Sequence, residues 1–230
     1  MSFYHDYSKA FLLLAFLISL IVFIPGLGRE INGARRWLDL GFITVQVSEV
    51  SRLFIMIWIC SFITKNDINK SFNKCLLMIF LLCSIILIQR DFGSTALLVF
   101  TFFSLMLIVG LNIKKLFSYL LLAVIISIPL IIFQPYRLKR IISFLNPWED
   151  PTGSGYQLIA SLLAFGKGGI FGLGLGSSVQ KLLYLPESYN DFIFALIAEE
   201  LGLLFSLMII VLFGFIFFRI IQLAKKSRDN

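Results

Sequence analysis

Residues 146–202 read NPWEDPTGSGYQLIASLLAFGKGGIFGLGLGSSVQKLLYLPESYNDFIFALIAEELG, the one long polar interruption in an otherwise apolar chain. Eight of the 16 glycines fall between Gly153 and Gly176, and the stretch runs directly into an apolar segment bearing Asp191, Glu199 and Glu200. Acids within a membrane-length segment are costly, so each needs an internal partner or a polar site to explain it. Outside this stretch the chain is oily: of 230 residues 59% are hydrophobic and 14% charged. A soluble domain carries roughly a quarter charged residues, so the expected solvent is a bilayer.

Apolar runs at 10–27, 47–64, 72–88, 94–111, 116–133 and 192–223 approach or exceed the ~20 residues that cross a hydrocarbon core. The expected fold class is all-α, a polytopic membrane helix bundle of about six transmembrane helices, with residues 134–190 as one long extracytoplasmic loop. Residues 28–46 read as a polar loop, and the whole of 1–230 as a single integral-membrane domain. The last apolar run is too long for one crossing, so its first turns are expected to line a cavity. Lys65, Lys70, Lys74, Lys114 and Lys115 lie in loops on the same side as the termini. The positive-inside bias then puts both termini in the cytoplasm.

The net charge of +7 does not indicate a nucleic-acid partner, because the basic residues sit between apolar runs rather than in a stripe. Cys60, Cys75 and Cys83 lie in apolar runs without metal spacing and read as small buried hydrophobes. His5 is the only histidine, which leaves no material for a histidine metal site or a catalytic triad. Gly166-Lys167-Gly168 lacks the spacing of a phosphate loop, and Gly172, Gly174 and Gly176 do not form a dinucleotide fingerprint. Tight turns and close backbone approach account for these glycines better than ligand contact. No cofactor is implied by the residues, and a divalent cation is left open.

Asp191 is the sharpest candidate, entering an apolar helix from the loop LPESYN. It reads either as a helix cap, favoured there by the backbone dipole, or as a base at the membrane surface. Glu199 and Glu200 are expected to pair with basic groups on other helices. Glu49 and Arg52, three apart, share a helical face and read as an ion pair at the bilayer edge or as part of a site. Arg35 and Arg36 beside Trp37, and the cluster Arg137, Lys139 and Arg140, read as interface anchors or as a grip on lipid phosphate. Read from its residues alone, the chain is a membrane protein with an extracytoplasmic polar site suited to a lipid-linked anion.

Seven segments carry a resemblance. NGARRWLDLG, QVSEVSR, QRDFG, PYRLKR, NPWEDPTGSGYQ, GLGLGSSVQK and LPESYNDFIFALIAEELG occur in the order found in the SEDS family of shape, elongation, division and sporulation proteins (FtsW/RodA/SpoVE). The wording is nearer the division branch, FtsW, than the elongation branch. The resemblance implies a peptidoglycan glycosyltransferase that polymerises lipid II into glycan strands, releasing undecaprenyl diphosphate, in septal cell-wall synthesis. It puts the family's essential aspartate on Asp191, as general base. Arg36 and Arg140 are implied as leading ligands of the diphosphate, with Arg137, Glu49, Arg52, Gln157 and Glu187 as further substrate-binding residues. Implied partners are lipid II, membrane lipid, a class B penicillin-binding protein and other division proteins, at the septum of a bacterial cytoplasmic (inner) membrane. A lipid II flippase, a non-catalytic division scaffold and an inactive fragment are the alternatives.

The family wording departs at three places. His-Thr before the aspartate is Tyr189-Asn190, Gln-Pro-Ser-Glu is Gln46-Val47-Ser48-Glu49, and Gln-Pro-Asp is Gln89-Arg90-Asp91. The chain is also expected to be incomplete, beginning near the family's third span and stopping after its eighth.

Overall fold

The computed structural model describes residues 2–31, 34–41, 43–181, 185 and 190–228. It packs as two compact units, Met1–Ile126 and Ser127–Asn230.

The first unit contains α1 (Ser2–Asp6), α2 (Ser8–Ile21), a three-stranded sheet, α3 (Val47–Lys65), α4 (Ile68–Ile88), α5 (Phe92–Val109) and most of α6 (Ile113–Ile132). Its interior follows the helical period. Ile55, Trp58 and Ile59 of α3 are buried against Phe72, Cys75, Ile79, Leu82 and Ile86 of α4 and Leu98, Phe102 and Met106 of α5. The opposite faces expose Leu53, Phe80, Leu97 and Phe100, apolar surface that suits lipid. Between helices in lipid the hydrophobic effect supplies little, so close packing and interhelical hydrogen bonds hold the bundle. Phe72 stacks on Phe102 with centroids 6.0 Å apart, and the Ser19 hydroxyl of α2 donates to Ser51 Oγ of α3 at 2.7 Å.

Two segments differ from the sequence reading. The apolar run 10–27 forms a helix only as far as Ile21, because Phe23 and Ile24 tighten the last turn with bonds to Leu20 and Ile21 and Pro25-Gly26 stop it. The 14-residue α2 is therefore shorter than a full crossing. The polar loop 28–46 is a β-meander: β1 (Gly28–Ile31), β2 (Ala34–Asp39) and β3 (Thr44–Gln46), antiparallel, in the order β1-β2-β3. Trp37 pairs with both Arg29 and Gln46, and a bulge separates Arg29 from Glu30. Strand pairing satisfies the backbone amides and carbonyls that an irregular loop at a bilayer edge would leave open.

The second unit contains α7 (Pro135–Leu145), a 3-10 turn (Pro147–Glu149), α8 (Tyr156–Gly168) and α9 (Ile193–Arg228). Residues 134–190, expected as one loop, therefore hold, among the described residues, the α-helices α7 and α8 with the 3-10 turn between them. α7 begins with proline at its first turn, where the missing amide costs nothing. Helix α9 is broken at Gly202, whose φ of 79° and ψ of −176° are not helical. Among the described residues five helices are long and apolar enough to cross a membrane: Val47–Lys65, Ser71–Ile88, Phe92–Val109, Ile113–Ile132 and Ile193–Ala224. The all-α polytopic bundle thus stands, with the small sheet as an addition to it.

Candidate functional site

Asp191 lies in the turn that leads into α9, and the break at Gly202 fixes the half-helix behind it. A helix interrupted in its middle loses backbone hydrogen bonds, which must be made elsewhere in a dry environment. Here the segment after α8 makes them. Leu173 and Gly174 donate their amides to the carbonyls of Glu199 and Glu200 at 3.0 and 2.9 Å. Leu203 and Leu204 donate to the carbonyls of Gly169 and Ile170 at 2.9 and 3.3 Å. This exchange needs backbones in contact: a methyl on Gly202 would overlap the Gly172 amide and the Ile170 carbonyl, and its φ is left-handed.

Side chains repeat the grip. Glu199 is fully buried. Its Oε2 accepts from the Ser178 hydroxyl and from the Gln180 amide, the latter at 3.3 Å, while Oε1 accepts from the Val179 amide at 3.3 Å. Glu200 faces Lys181 Nζ at 3.9 Å. The expectation that both glutamates pair with basic groups on other helices is corrected: Glu200 pairs with a lysine of the connecting segment, and Glu199 binds neutral donors of that same segment. The GLGLGSSVQK wording is thereby explained as a strap whose bare backbone must lie against α9.

In front of this fixed half-helix, Asp191 is exposed. Among the described residues its carboxylate accepts no hydrogen bond, and the first turn of α9 instead uses the Phe192 carbonyl, which accepts from Ala195 at 3.0 Å. Gln157 is half-buried in the first turn of α8. Glu187 lies outside the described residues.

The basic cluster of α7 is divided among tasks. Arg137 donates to the Leu130 carbonyl at 2.6 Å, closing the end of α6. Lys139 pairs with Asp150 at 3.1 Å, and the Arg140 guanidinium sits 4.9 Å from the Tyr136 ring centroid. Asp150 also accepts from the amide and hydroxyl of Ser154 at 2.9 and 3.0 Å. The Ser154 amide, with Lys139 and the Ser154 hydroxyl, holds the Asp150 carboxyl down to about 2. Of the three cations Arg140 is the one whose guanidinium, among the described residues, meets only a ring face.

In the first unit, Arg36 on β2 donates to the Arg90 carbonyl at 2.7 Å, and its Nε is buried without an acceptor among the described residues. Glu49 and Arg52 share the start of α3, and no ion pair joins them. Beside them is a residue the sequence reading passed over. Asp91, almost fully buried, caps α5. Its Oδ1 accepts from the Ser94 amide at 3.1 Å, and its Oδ2 from the hydroxyls of Ser94 and Ser48 and from Gln46 Nε2 at 2.7, 3.0 and 3.3 Å. One carboxylate thus joins QVSE to QRDFG. An acid three residues before the apolar run at 94–111 was the available signal for it.

A family model described as cell cycle protein, FTSW_RODA_SPOVE, matches residues 1–230. The chain is 41% identical to the probable peptidoglycan glycosyltransferase FtsW of Coxiella burnetii, covering 97% of this chain and 62% of that protein. It is 43% identical to the protein of the same description from Wigglesworthia glossinidia brevipalpis, covering 96% and 59%. A solved structure described as "Structural coordination of polymerization and crosslinking by a peptidoglycan synthase complex" has a similar fold, with a TM-score of 0.71 and 23% identity, covering 95% of this chain and 61% of that one. The chain spans about 60% of the length of these curated relatives. With its five membrane-length helices, it is an integral membrane protein.

Proposed function

The chain belongs to the FtsW/RodA/SpoVE family of cell cycle proteins, and from that premise we propose that it supplies the catalytic aspartate of a peptidoglycan glycosyltransferase polymerising lipid II during septal wall synthesis. The observation that carries this reading is Asp191: an exposed carboxylate, unpartnered among the described residues, at the head of a half-helix gripped through both backbone and side chains. A general base needs open lone pairs and a fixed position within hydrogen-bond reach of the proton it takes.

In the proposed step Asp191 accepts the proton of the acceptor sugar hydroxyl. The freed oxygen attacks the anomeric carbon of the donor, forming the glycosidic bond. The bond from that carbon to the diphosphate breaks, undecaprenyl diphosphate leaves with the electron pair, and the configuration inverts. Guanidinium groups would stabilise charge growing on the diphosphate. Arg36, with an unused buried donor, is our leading choice in the first unit and Arg140 in the second. Arg137, Arg52, Glu49, Gln157 and Glu187 are proposed to orient the substrate. We further propose a multi-pass protein of the bacterial cytoplasmic membrane with both termini of this chain cytoplasmic, acting at the septum with a class B penicillin-binding protein.

The test reconstitutes the chain in liposomes with the complementary segment of a relative, the transpeptidase partner and fluorescent lipid II. Asp191→Ala is expected to lower the rate of glycan formation by about 10²–10⁴-fold while lipid II binding persists. Normal polymerisation by that variant would refute the base assignment.

A further inference from the structure

Within the first unit, a cleft of about 190 Å³ is lined by Phe23, Glu30, Arg35, Ile88, Gln89 and Arg90. None of its features is needed for the transfer reaction above. Gln89 is only 2% exposed, and its amide is half used: Nε2 donates to the Ser19 carbonyl at 2.7 Å, whereas Oε1 has no partner among the described residues. A buried acceptor left open calls for a donor from outside the chain.

The other walls define what that donor must be attached to. Arg35 and Arg90 bring two guanidinium groups, and Glu30, 3.2 Å from Arg35 Nε, brings one carboxylate. Two positive charges less one negative leave the lining at +1. A compact anion suits the guanidiniums, but a doubly charged diphosphate would be opposed by Glu30. A group with one negative charge beside an N–H donor meets every wall: anion to the arginines, N–H to Gln89 Oε1 and Glu30. Phe23 and Ile88 add apolar surface, and Ile88 is 69% exposed at the end of a membrane-length helix. The volume is below the ~300–1,000 Å³ of pockets for drug-sized ligands, a scale that fits a head group and not a disaccharide.

We propose that this cleft holds the head group of a phosphoethanolamine-type phospholipid, its phosphate between Arg35 and Arg90 and its ammonium on Gln89 Oε1 and Glu30. Arg90 is specific to the proposal. It stands where the family wording has proline, at a φ of 62°, which a proline ring, fixed near −65°, cannot adopt. The Arg36 guanidinium holds the Arg90 carbonyl, so the turn that brings this extra cation into the lining is itself tied to β2.

The test uses the full 230-residue chain in phosphatidylcholine nanodiscs doped with phosphatidylethanolamine, with retained lipid counted by native mass spectrometry. Wild type is expected to keep one phosphatidylethanolamine in preference to phosphatidylcholine, whose head has no N–H. Arg90→Gly, which suits the left-handed backbone, and Arg35→Ala should each weaken retention about tenfold, the loss of one charge-assisted contact; Arg29→Ala on the same sheet should not. Soluble glycerophosphoethanolamine, a phosphodiester with the single negative charge of the lipid head, should displace the lipid, and glycerophosphocholine and inorganic phosphate should not. Equal retention of both lipids, or retention unchanged in Arg90→Gly, would mean annular lipid only and overturn the proposal. Displacement by inorganic phosphate alone would reduce the cleft to an anion site and overturn it equally. The competition on wild type decides the matter even if a variant fails to fold.

Discussion

Asp91 in the first unit and Glu199 in the second are both buried carboxylates that bind neutral donors, yet they are built differently. Asp91 caps the start of α5, where the helix dipole favours negative charge. One of its donors is a backbone amide; the others are the side chains of Gln46, Ser48 and Ser94. Glu199 sits in the last turn of α9 before the break at Gly202, an end where the helix dipole does not favour negative charge, and two of its three donors are the backbone amides of Val179 and Gln180. A hydroxyl can rotate and a glutamine can turn over, so each becomes an acceptor when its partner becomes a donor. A backbone amide can only donate. The donors of Asp91 are adaptable, and those of Glu199 are fixed. A scaffold junction can be permissive, whereas the strap behind Asp191 holds one geometry.

The largest effect is expected from Glu199→Ala. It strands the buried Gln180 amide and Ser178 hydroxyl and the part-buried Val179 amide, a loss of about 3 kcal/mol or more in unfolding stability. Hydrogen exchange should show residues 173–181 opening while the first unit stays protected. Protection of 173–181 unchanged from wild type would mean that the backbone bonds beside Gly202 hold the strap alone. Gly202→Ala tests that second grip. With a left-handed φ and a close backbone neighbour, the added methyl should cost roughly 1–3 kcal/mol and loosen the same segment. A thermal midpoint equal to wild type would contradict the close approach.

The amide substitutions sharpen the comparison. Glu199→Gln places an amino group against a backbone N–H and should cost about 1–2 kcal/mol. Asp91→Asn keeps an oxygen for Ser94 while its side-chain neighbours reverse roles, and asparagine caps helices as well as aspartate, so the loss should stay below about 1 kcal/mol. Denaturation in mixed micelles measures both, and equal losses would end the distinction.

The smallest effect concerns Asp150, a partly exposed carboxylate with one backbone amide and one cation. Its carboxyl is held down to about 2 from an ordinary 3.8. The stabilisation is therefore complete above the ordinary value and is lost as pH falls through 3.8 toward 2. Carbon-13 titration should find a midpoint near 2, and Lys139→Met should raise it. A midpoint at the ordinary carboxylate value would remove the Ser154 and Lys139 contacts from the account.

Much of the bundle was legible because a bilayer imposes length and periodicity on whatever crosses it. The runs at 47–64, 72–88, 94–111 and 116–133 lie on α3 to α6 for that reason. The sheet at 28–46 was not legible, since its strands are short and half-exposed and pair to satisfy backbone groups rather than to bury an apolar face. Asp191 stood out as an acid in front of an oily helix. Asp91, also an aspartate, was passed over because its role depends on Gln46 and Ser48, distant in sequence.

Composition and spacing by themselves determined that this chain lives in a membrane, where its helices run, and that acids stand near the head of the last one. Only the tertiary structure decided what those acids do. Whether a carboxylate is exposed like Asp191 or consumed like Glu199 depends on which distant amides and hydroxyls meet it. That the last apolar run breaks at Gly202 was likewise decided by contact, because a left-handed glycine persists within a helix only where another backbone takes up the bonds it releases.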